Sequence, residues 1–295
     1  HVLETKDHVT ICVESKERTW ELMIYPVVGG FRMIAGKKGF FDGKPEAFSM
    51  EESEHAYIIR SKEHEMILQK ETLEISIDRK AITNLKNISF IFEKESVSAS
   101  RIQFSIHENS AIYGFGERFD SVNQYGKTVA LWQRDACEGC LASIGNQAYK
   151  NIPLVHTSDG FSFFANTSYR MRMDVGDAVQ DYLSVEALGD VFDFYIWSGT
   201  PREAMTAYGT LTGLPIFPPE WVFEPWAGGG GGRWRNGPLQ DIALEQMAAM
   251  KKFHELDIPH SGFYAEGAGA TFYGEYKKEE LYKVVSFGER HGFKV

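Results

Sequence analysis

The sequence has few cysteines and no apolar run long enough to cross a membrane. Its three cysteines, Cys12, Cys137 and Cys140, occur among 295 residues. An odd number without framework spacing indicates reduced thiols, so we expect a cytoplasmic protein. The Cys137–Cys140 pair lacks the two further ligands of a zinc site, and the nine histidines show no metal-ligand spacing. A membrane helix needs ~20 consecutive apolar residues. We therefore predict no metal site and no membrane contact.

Positive charge is also scarce. The net charge of −10 argues against nucleic-acid binding, which needs a basic patch. The glycine run Gly228–Gly232 lacks the Gly-Lys-Ser/Thr ending of a phosphate-binding loop, so we predict no nucleotide and no other cofactor. His1 begins neither an initiator sequence nor a signal peptide, and we expect a trimmed N-terminus. The sequence gives no prediction of the oligomeric state.

Aromatic residues are plentiful, at 14% of the chain. They suit a sugar-stacking site, but they also suit a β-sandwich core, and we favour the core interpretation. From residue 8 to about residue 196, apolar residues alternate with polar ones in short runs separated by turn residues. This pattern predicts an antiparallel β-sandwich of a dozen or more strands over residues 1–199. Hairpin turns are predicted at Asp78–Lys80 and at Asp159–Gly160.

The apolar period changes after residue 199. Thr200 is a predicted N-cap, followed by Pro201 at the first helical position, and a proline-rich linker completes residues 200–219. The apolar pattern of residues 220–295 predicts alternating strands and helices. The strands are Trp221–Trp226, His260–Ala265 and the beginning of a third at Phe293–Val295. A closed eight-fold barrel takes about 250 residues, so we expect the chain to be the N-terminal part of a longer protein.

Three segments in the middle of the chain form a distinctive pattern. Trp132–Asp135 reads Trp-Gln-Arg-Asp, Asn146–Leu154 reads Asn-Gln-Ala-Tyr-Lys-Asn-Ile-Pro-Leu, and Asp159–Asn166 reads Asp-Gly-Phe-Ser-Phe-Phe-Ala-Asn. The pattern resembles the substrate-facing loop and following hairpin in the N-terminal domain of family 31 glycoside hydrolases, which include α-glucosidases and α-xylosidases. Gln133 departs from the Asn of that family.

Two other segments extend the resemblance. Tyr113–Phe119 is similar to the family's Tyr-Gly-x-Gly-Glu segment, in which the glycines suit a tight bulge. Within it, we interpret Glu117 and Arg118 as a structural ion pair. Thr200–Trp221 follows the family's succession of a Thr-Pro helix, a Thr-Gly-x-Pro break and a Pro-Pro-x-Trp barrel opening.

The resemblance implies a multi-domain β plus α/β fold: a galactose-mutarotase-like antiparallel β-sandwich followed by the start of a truncated (β/α)8 TIM barrel. It also implies a retaining α-glycosidase acting on α-linked glucosides or related oligosaccharides, by hydrolysis or transglycosylation. Such enzymes use two carboxylates about 5–5.5 Å apart. In this family both are aspartates on later barrel strands, so we expect them beyond Val295 and assign no catalytic residue to this chain.

Two carboxylates are candidate substrate contacts by the same resemblance. Asp135 matches the acid of the family's loop, which binds sugar hydroxyls; the alternative is a local pair with Arg134. Glu266 ends the second predicted barrel strand, where barrel enzymes place functional side chains, and the family usually has Asp there. The alternative for Glu266 is a solvated loop carboxylate. We expect Asp135 and Glu266 at the same end of the barrel.

Two tryptophans flank the glycine run and are also candidate substrate contacts. Trp226 stands at the base of that loop and Trp234 at its far side, and the family's loop contributes specificity residues. A barrel-core role for Trp226 is an equal alternative. Two other functions stay open: a non-catalytic carbohydrate-binding module, and a mutarotase-like epimerase, which needs a His acid and a Glu base inside the sandwich. His156 is a candidate for that acid.

Overall fold

The computed structural model describes residues 2–14, 19–36, 45–93, 96–133, 148–229, 242–265 and 278–295. The chain divides into two compact units, residues 1–214 and residues 215–295. None of the helices within the described ranges is long and apolar enough to span a membrane.

The first unit is built from two sheets. Its strands and its helix have the bounds β1 (Val2–Glu4), β2 (Val9–Glu14), β3 (Thr19–Val27), β4 (Gly30–Gly36), β5 (Ser49–Glu52), β6 (Ala56–Arg60), β7 (Glu65–Gln69), β8 (Glu74–Ile77), β9 (Lys80–Glu93), β10 (Ser96–Ser105), β11 (Ile112–Gly116), β12 (Lys127–Leu131), β13 (Asn151–Thr157), β14 (Phe161–Ala165), β15 (Met171–Val175), β16 (Tyr182–Leu188), β17 (Val191–Ser198) and α1 (Pro201–Thr212).

The two sheets pack face to face as a sandwich. The first has the order β1-β2-β3-β4-β17-β14-β13-β11, and the second has the order β12-β15-β16-β10-β9-β8-β7-β6-β5. Neighbouring strands are antiparallel, as between β14 and β17. One apolar core lies between the sheets. In it Phe104 of the second sheet and Phe163 of the first have ring centroids 4.6 Å apart. The antiparallel β-sandwich expected from the period-two pattern is confirmed.

Both predicted hairpin turns are confirmed. Asp78 and Arg79 have φ angles of 49° and 67° and connect β8 to β9, which pair antiparallel. Gly160 has a φ of 84° and stands between β13 and β14. Positive φ at these positions supplies the twist that tight hairpin turns need.

Helix α1 packs on the side of the first sheet that faces away from the core. Thr200 accepts a hydrogen bond from the Glu203 backbone, and the Glu203 side chain binds the Thr200 backbone in return, so the predicted N-cap is part of a capping box. Ala204 and Ala207 of the helix pack against Leu154 and neighbouring aromatic residues of β17. This small apolar cluster attaches α1 to the sheet.

The described residues of the second unit form two parallel strands and two helices. Its elements are a 3-10 turn (Glu220–Val222), β18 (Trp226–Gly229), α2 (Ile242–Glu255), β19 (Gly262–Ala265) and α3 (Lys278–Arg290). β18 pairs with β19 in parallel, and a core that includes Phe263, Met250 and Val284 joins the strands to both helices. At the chain end Lys294 forms a single parallel bridge with Gly262.

The predicted strand at Trp221–Trp226 is wrong. The Phe223 N–H donates to the Glu220 carbonyl at 2.9 Å, which closes a 3-10 turn in place of extended chain. Pro225 has no N–H to donate to a ladder, and its carbonyl accepts from the Ser261 backbone at 2.9 Å. Regular pairing therefore begins only at Trp226.

The backbone bulge at the end of β11 gives a test of the fold. The pairing of β11 with β13 shifts register between Gly114 and Gly116, and Gly116 has a φ of 82°. A Cβ at Gly116 would overlap the Lys150 carbonyl oxygen. We expect Gly116→Ala to lower the free energy of unfolding by about 2 kcal/mol or more, from strained φ and steric overlap together.

Gly126→Ala is the matched control for this substitution. Gly126 has a φ of 76°, but a Cβ there meets no atom within 4 Å. Chemical denaturation of both variants should show the larger loss for Gly116→Ala. Equal losses would mean that the close approach to Lys150 contributes nothing.

Candidate functional site

Of the four predicted substrate contacts, Asp135, Trp234 and Glu266 lie outside the described residues. Their predicted roles stay predictions, as does the shared placement of Asp135 and Glu266. Cys137 and Cys140 also lie outside, so the expectation of reduced thiols and a cytoplasmic location stays a prediction. Trp226 is described, and so are Gln133 and Ala148, the residues that flank the segment containing Asp135.

Gln133 and Ala148 are joined to each other and to the first residue of β13. They form a parallel bridge. The Asn151 Nδ2 atom donates to the Ala148 carbonyl at 3.0 Å, and the Gln133 Nε2 atom donates to the Asn151 carbonyl at 3.3 Å. These bonds hold together two stretches of chain that are 15 or more residues apart in sequence.

Arg118 completes this network. Its Nη2 atom donates to Asn151 Oδ1 at 2.6 Å and to the Phe115 carbonyl at 3.3 Å. Glu117 instead accepts from Lys150 Nζ at 3.2 Å. The predicted Glu117–Arg118 pair is therefore wrong. Adjacent side chains in an extended segment point to opposite sides. Glu117 therefore pairs with Lys150, and Arg118 pairs with Asn151, the first residue of β13.

A cavity of about 290 Å³ lies beside the network. Two aromatic rings border it: Trp132 is 53% exposed and Tyr169 is 61% exposed. The polar side chains of Gln133 and Asn151 form part of its wall. Exposed rings next to amide groups are the combination that binds a pyranose, whose C–H faces stack while its hydroxyls form hydrogen bonds. The lining residues are Leu131, Trp132, Gln133, Asn151, Pro153, Thr167, Ser168, Tyr169 and Met171.

A second, wider cavity of about 670 Å³ shares Asn151 and Pro153 with the first. Phe164 and Tyr208 form its aromatic wall, with ring centroids 5.1 Å apart. Asn166 lies at its polar edge and donates through Nδ2 to Asp193 Oδ2 at 2.7 Å. Because a carboxylate only accepts, this bond directs Asn166 Oδ1 away from Asp193, where it can accept from a hydroxyl group.

Asp193 is held in place from behind by Arg32. The Arg32 Nε atom donates to Asp193 Oδ1 at 2.8 Å, and its Nη2 atom binds the other carboxylate oxygen. The Arg32 side chain is only 6% exposed, and its guanidinium lies 5.4 Å from the ring centroid of Tyr195. A bidentate, mostly buried pair of this kind holds the carboxylate in a fixed orientation.

His156 does not lie among the core side chains. Its neighbour Val155 faces the core between the sheets, so His156 is on the opposite side of β13. Its Nδ1 atom lies 2.8 Å from Ser162 Oγ, and no described carboxylate contacts it. Among the described residues, His156 therefore has none of the acid–base partners of an epimerase.

Trp226 in the second unit lies at the start of β18. Its side chain is 44% exposed, and its ring centroid is 5.5 Å from that of Trp221. A Cβ on Gly262 would overlap the Trp226 ring, so the indole covers the start of β19. The indole is therefore partly exposed to solvent and partly packed on the strand. Among the described residues, no cluster of three or more His, Cys, Asp or Glu side chains could hold a metal ion.

The model of the glycosyl hydrolase 31 N-terminal galactose mutarotase-like domain matches residues 13–174. This match covers more than half of the chain, including strands of both sheets and the bonded residues Arg118, Gln133, Ala148 and Asn151. The chain belongs to glycosyl hydrolase family 31.

Curated relatives of this family 31 chain are glycosidases. An alpha-xylosidase from Lactiplantibacillus pentosus is 34% identical over 166 residues, which cover 56% of this chain and 21% of that protein. Alpha-glucosidase 2 from Bacillus thermoamyloliquefaciens is 24% identical over 226 residues, which cover 74% of this chain and 27% of that protein. The chain therefore spans about a fifth to a quarter of the length of these relatives.

Solved structures of the family share the fold. A GH31 dextranase from Flavobacterium johnsoniae, complexed with glucose, has a TM-score of 0.78 at 18% identity and covers 100% of this chain and 37% of that chain. A GH31 alpha-xylosidase from a soil metagenome, complexed with xylose, has a TM-score of 0.75 at 14% identity and covers 100% of this chain and 46% of that chain.

The sequence did not reveal the second cavity of this family 31 chain. Asn166 was visible only as the end of a motif, and Arg32 and Asp193 are 161 positions apart. No local pattern could pair them. The sequence indicated part of the hydrogen-bond network around Asn151, because Asn151 and Arg118 each belong to a family motif. The bond between them could not be predicted, because it depends on the pairing of β11 with β13.

Burial of His156 predicts a pH dependence of stability. Burial lowers the pKa of His156 below its usual value, whereas the unfolded chain has a histidine pKa of about 6.5. The unfolded state therefore binds the proton more readily, and stability is lost as the pH falls below about 6.5. We expect His156→Gln to lose less free energy of unfolding between pH 7.5 and pH 5.5 than the wild type loses.

His55→Gln is the control, since His55 is exposed. Urea unfolding of the three proteins at both pH values measures the effect. If His156→Gln retains the full acid loss of the wild type, the buried ring is not its source.

Proposed function

We propose that this chain is the glycan-contacting N-terminal part of a retaining α-glycosidase that acts on α-linked glucosides or related oligosaccharides. The match of residues 13–174 to the N-terminal domain of glycosyl hydrolase family 31 carries the proposal. The alpha-xylosidase and alpha-glucosidase relatives support an α-linked substrate. Hydrolysis and transglycosylation are both compatible with this function.

The second unit supports a barrel as the catalytic domain. Its parallel strands β18 and β19 alternate with helices α2 and α3, and Lys294 pairs in parallel with Gly262 where a third strand would begin. This order of elements is that of the first units of a (β/α)8 barrel. In the proposed enzyme the nucleophile and the acid/base carboxylate lie on later strands, beyond Val295.

The residues of this chain bind and orient the sugar in this proposal. Trp132 and Tyr169 offer ring faces, and Gln133 offers an amide beside them. Asp135 and Glu266 accept hydrogen bonds from sugar hydroxyls, and Trp226 and Trp234 flank the loop that shapes specificity. Positioning of this kind lowers the barrier because the reacting bond is held in line with the carboxylates.

A non-catalytic carbohydrate-binding module is the second candidate. The aromatic and amide lining of the two cavities favours it equally, since binding needs no catalytic carboxylate. Activity of the whole protein separates the two candidates.

The first test of the proposal compares two proteins. We expect the polypeptide 1–295 to give no turnover of 4-nitrophenyl α-glucoside or α-xyloside, because it lacks the two carboxylates of the retaining mechanism. The whole protein should cleave one of them and release the sugar first as its α-anomer, visible by NMR. Turnover by 1–295 alone, or release of the β-anomer, would contradict the proposal; binding without turnover by the whole protein would favour the module.

The second test concerns Glu266 in the whole protein. Glu266→Gln keeps the size of the side chain but removes a charge-assisted hydrogen bond to a sugar hydroxyl, worth roughly 1.5–3 kcal/mol. We expect kcat/KM to fall by about one to two decades. Glu220→Gln is the control, since Glu220 lies in the 3-10 turn before β18. Unchanged kcat/KM for Glu266→Gln would exclude this contact.

A further inference from the structure

The Arg118 side chain is half-buried, and part of its hydrogen-bonding capacity is unused among the described residues. Its Nε and Nη1 atoms are shielded from solvent and donate to no acceptor in the described part of the chain. Burial lowers the pKa of Arg118, and the negative charge of Asp120 partly opposes that shift. Asp120 itself binds Lys127 Nζ at 2.6 Å and Gln124 Nε2 at 3.0 Å. Arg118 therefore has no carboxylate partner among the described residues.

Such an arrangement is costly for stability alone. A buried charge without a paired counter-charge is destabilising, and each buried donor left without an acceptor adds to the cost. An apolar side chain of similar length would avoid both. The arginine must therefore be explained by the one strong bond that it makes, from Nη2 to Asn151 Oδ1 at 2.6 Å.

That bond determines the orientation of the Asn151 carboxamide. A guanidinium only donates, so Oδ1 must face Arg118, and Nδ2 must point the other way. Nδ2 then donates to the Ala148 carbonyl at 3.0 Å and approaches Gln133 Oε1 at 3.5 Å. If the amide rotated by half a turn, Nδ2 would face the cation and Oδ1 would face the Ala148 carbonyl. Arg118 thus excludes the conformation that would lose the bond to the Ala148 carbonyl, and Ala148 is the bridge partner of Gln133.

The residues oriented in this way form one side of the first cavity. Gln133 and Asn151 line it, next to the exposed ring of Trp132. Arg118 is not among the lining residues, and its shortest bond to one of them is the bond to Asn151.

We propose that Arg118 is a positioning residue for sugar recognition, which fixes Gln133 and the adjoining Trp132 through the Asn151 carboxamide. The proposal rests on the glycosidase function proposed above and identifies the residue that sets the geometry of its glycan contacts. The proposal requires that the loss of Arg118 raises KM even when the thermal midpoint of unfolding does not fall.

Arg118→Met in the whole protein is the direct test, with 4-nitrophenyl α-glucoside and α-xyloside as probes. We expect KM to rise roughly tenfold, the loss typical of one hydrogen bond to a charged group, with kcat changed by less than about twofold. Arg118→Lys keeps one donor toward Asn151 and should restore part of the affinity. Arg101→Met is the matched control: Arg101 pairs with Glu186 at 2.6 Å on the exposed side of the second sheet, and KM should stay unchanged.

Asn151→Asp provides a second variant that separates positioning from folding. The carboxylate would pair with Arg118 and neutralise its buried charge, but it could not donate to Ala148. We expect a thermal midpoint equal to or above that of the wild type, together with the raised KM. A purely structural role predicts that affinity follows stability. A raised thermal midpoint of Asn151→Asp with an unchanged KM would overturn the proposal. A lowered thermal midpoint of Arg118→Met with an unchanged KM would also overturn it.

Hydrogen exchange of the same variants gives a readout that does not depend on activity. We expect amides of residues 148–151 to exchange at least tenfold faster in Arg118→Met, while amides of β6–β8 keep their wild-type rates. Unchanged exchange at 148–151 would overturn the positioning role. A different outcome is faster exchange at 148–151 in Arg118→Met together with a wild-type protein that is inactive on both probes. That outcome would contradict the proposed glycosidase function, but it would leave the Arg118–Asn151 link intact.

Discussion

The packing of aromatic and aliphatic side chains between the two sheets determines where everything else in the first unit lies. Because side chains alternate across a strand, Val155 and Phe163 face the core, and Leu154 and Phe164 must face outward. The outward set binds helix α1. Phe164 also forms the aromatic wall of the second cavity. The candidate sugar site is thus a consequence of the register that buries the core.

In the proposed function, polar side chains at the edge of this rigid surface recognise the sugar. Two arginines act in a similar way, each through an amide or a carboxylate. Arg118 orients Asn151 beside the first cavity, and Arg32 fixes Asp193, which orients Asn166 beside the second. In both cases the arginine is away from the cavity and the oriented group is at its edge. Rigid orientation from behind reduces the entropy lost when a sugar binds.

The sequence was sufficient for those features that depend on local chemistry. The period-two pattern predicted the sandwich, and Thr200 with Pro201 predicted the start of α1. Local chemistry also explains the failure at Trp221–Trp226, where Pro219 and Pro225 favour a turn over the strand that the apolar residues suggested. Contacts between distant residues were not predictable. The Arg32–Asp193 pair depends on β4 and β17 becoming neighbours in the sheet, and the Glu117–Arg118 prediction failed because both partners lie across the ladder, at Lys150 and Asn151.

The central claim is that the edge of the sandwich around Trp132 and Gln133 contacts the sugar. A crystal structure of the whole protein with a bound α-glucoside or α-xyloside tests it most directly. The account predicts a sugar ring stacked on Trp132 or Tyr169, with a hydroxyl hydrogen-bonded to Gln133, and with Arg118 bound to Asn151 behind them. A sugar bound with no contact to the first unit, and with both cavities filled by protein side chains, would contradict it.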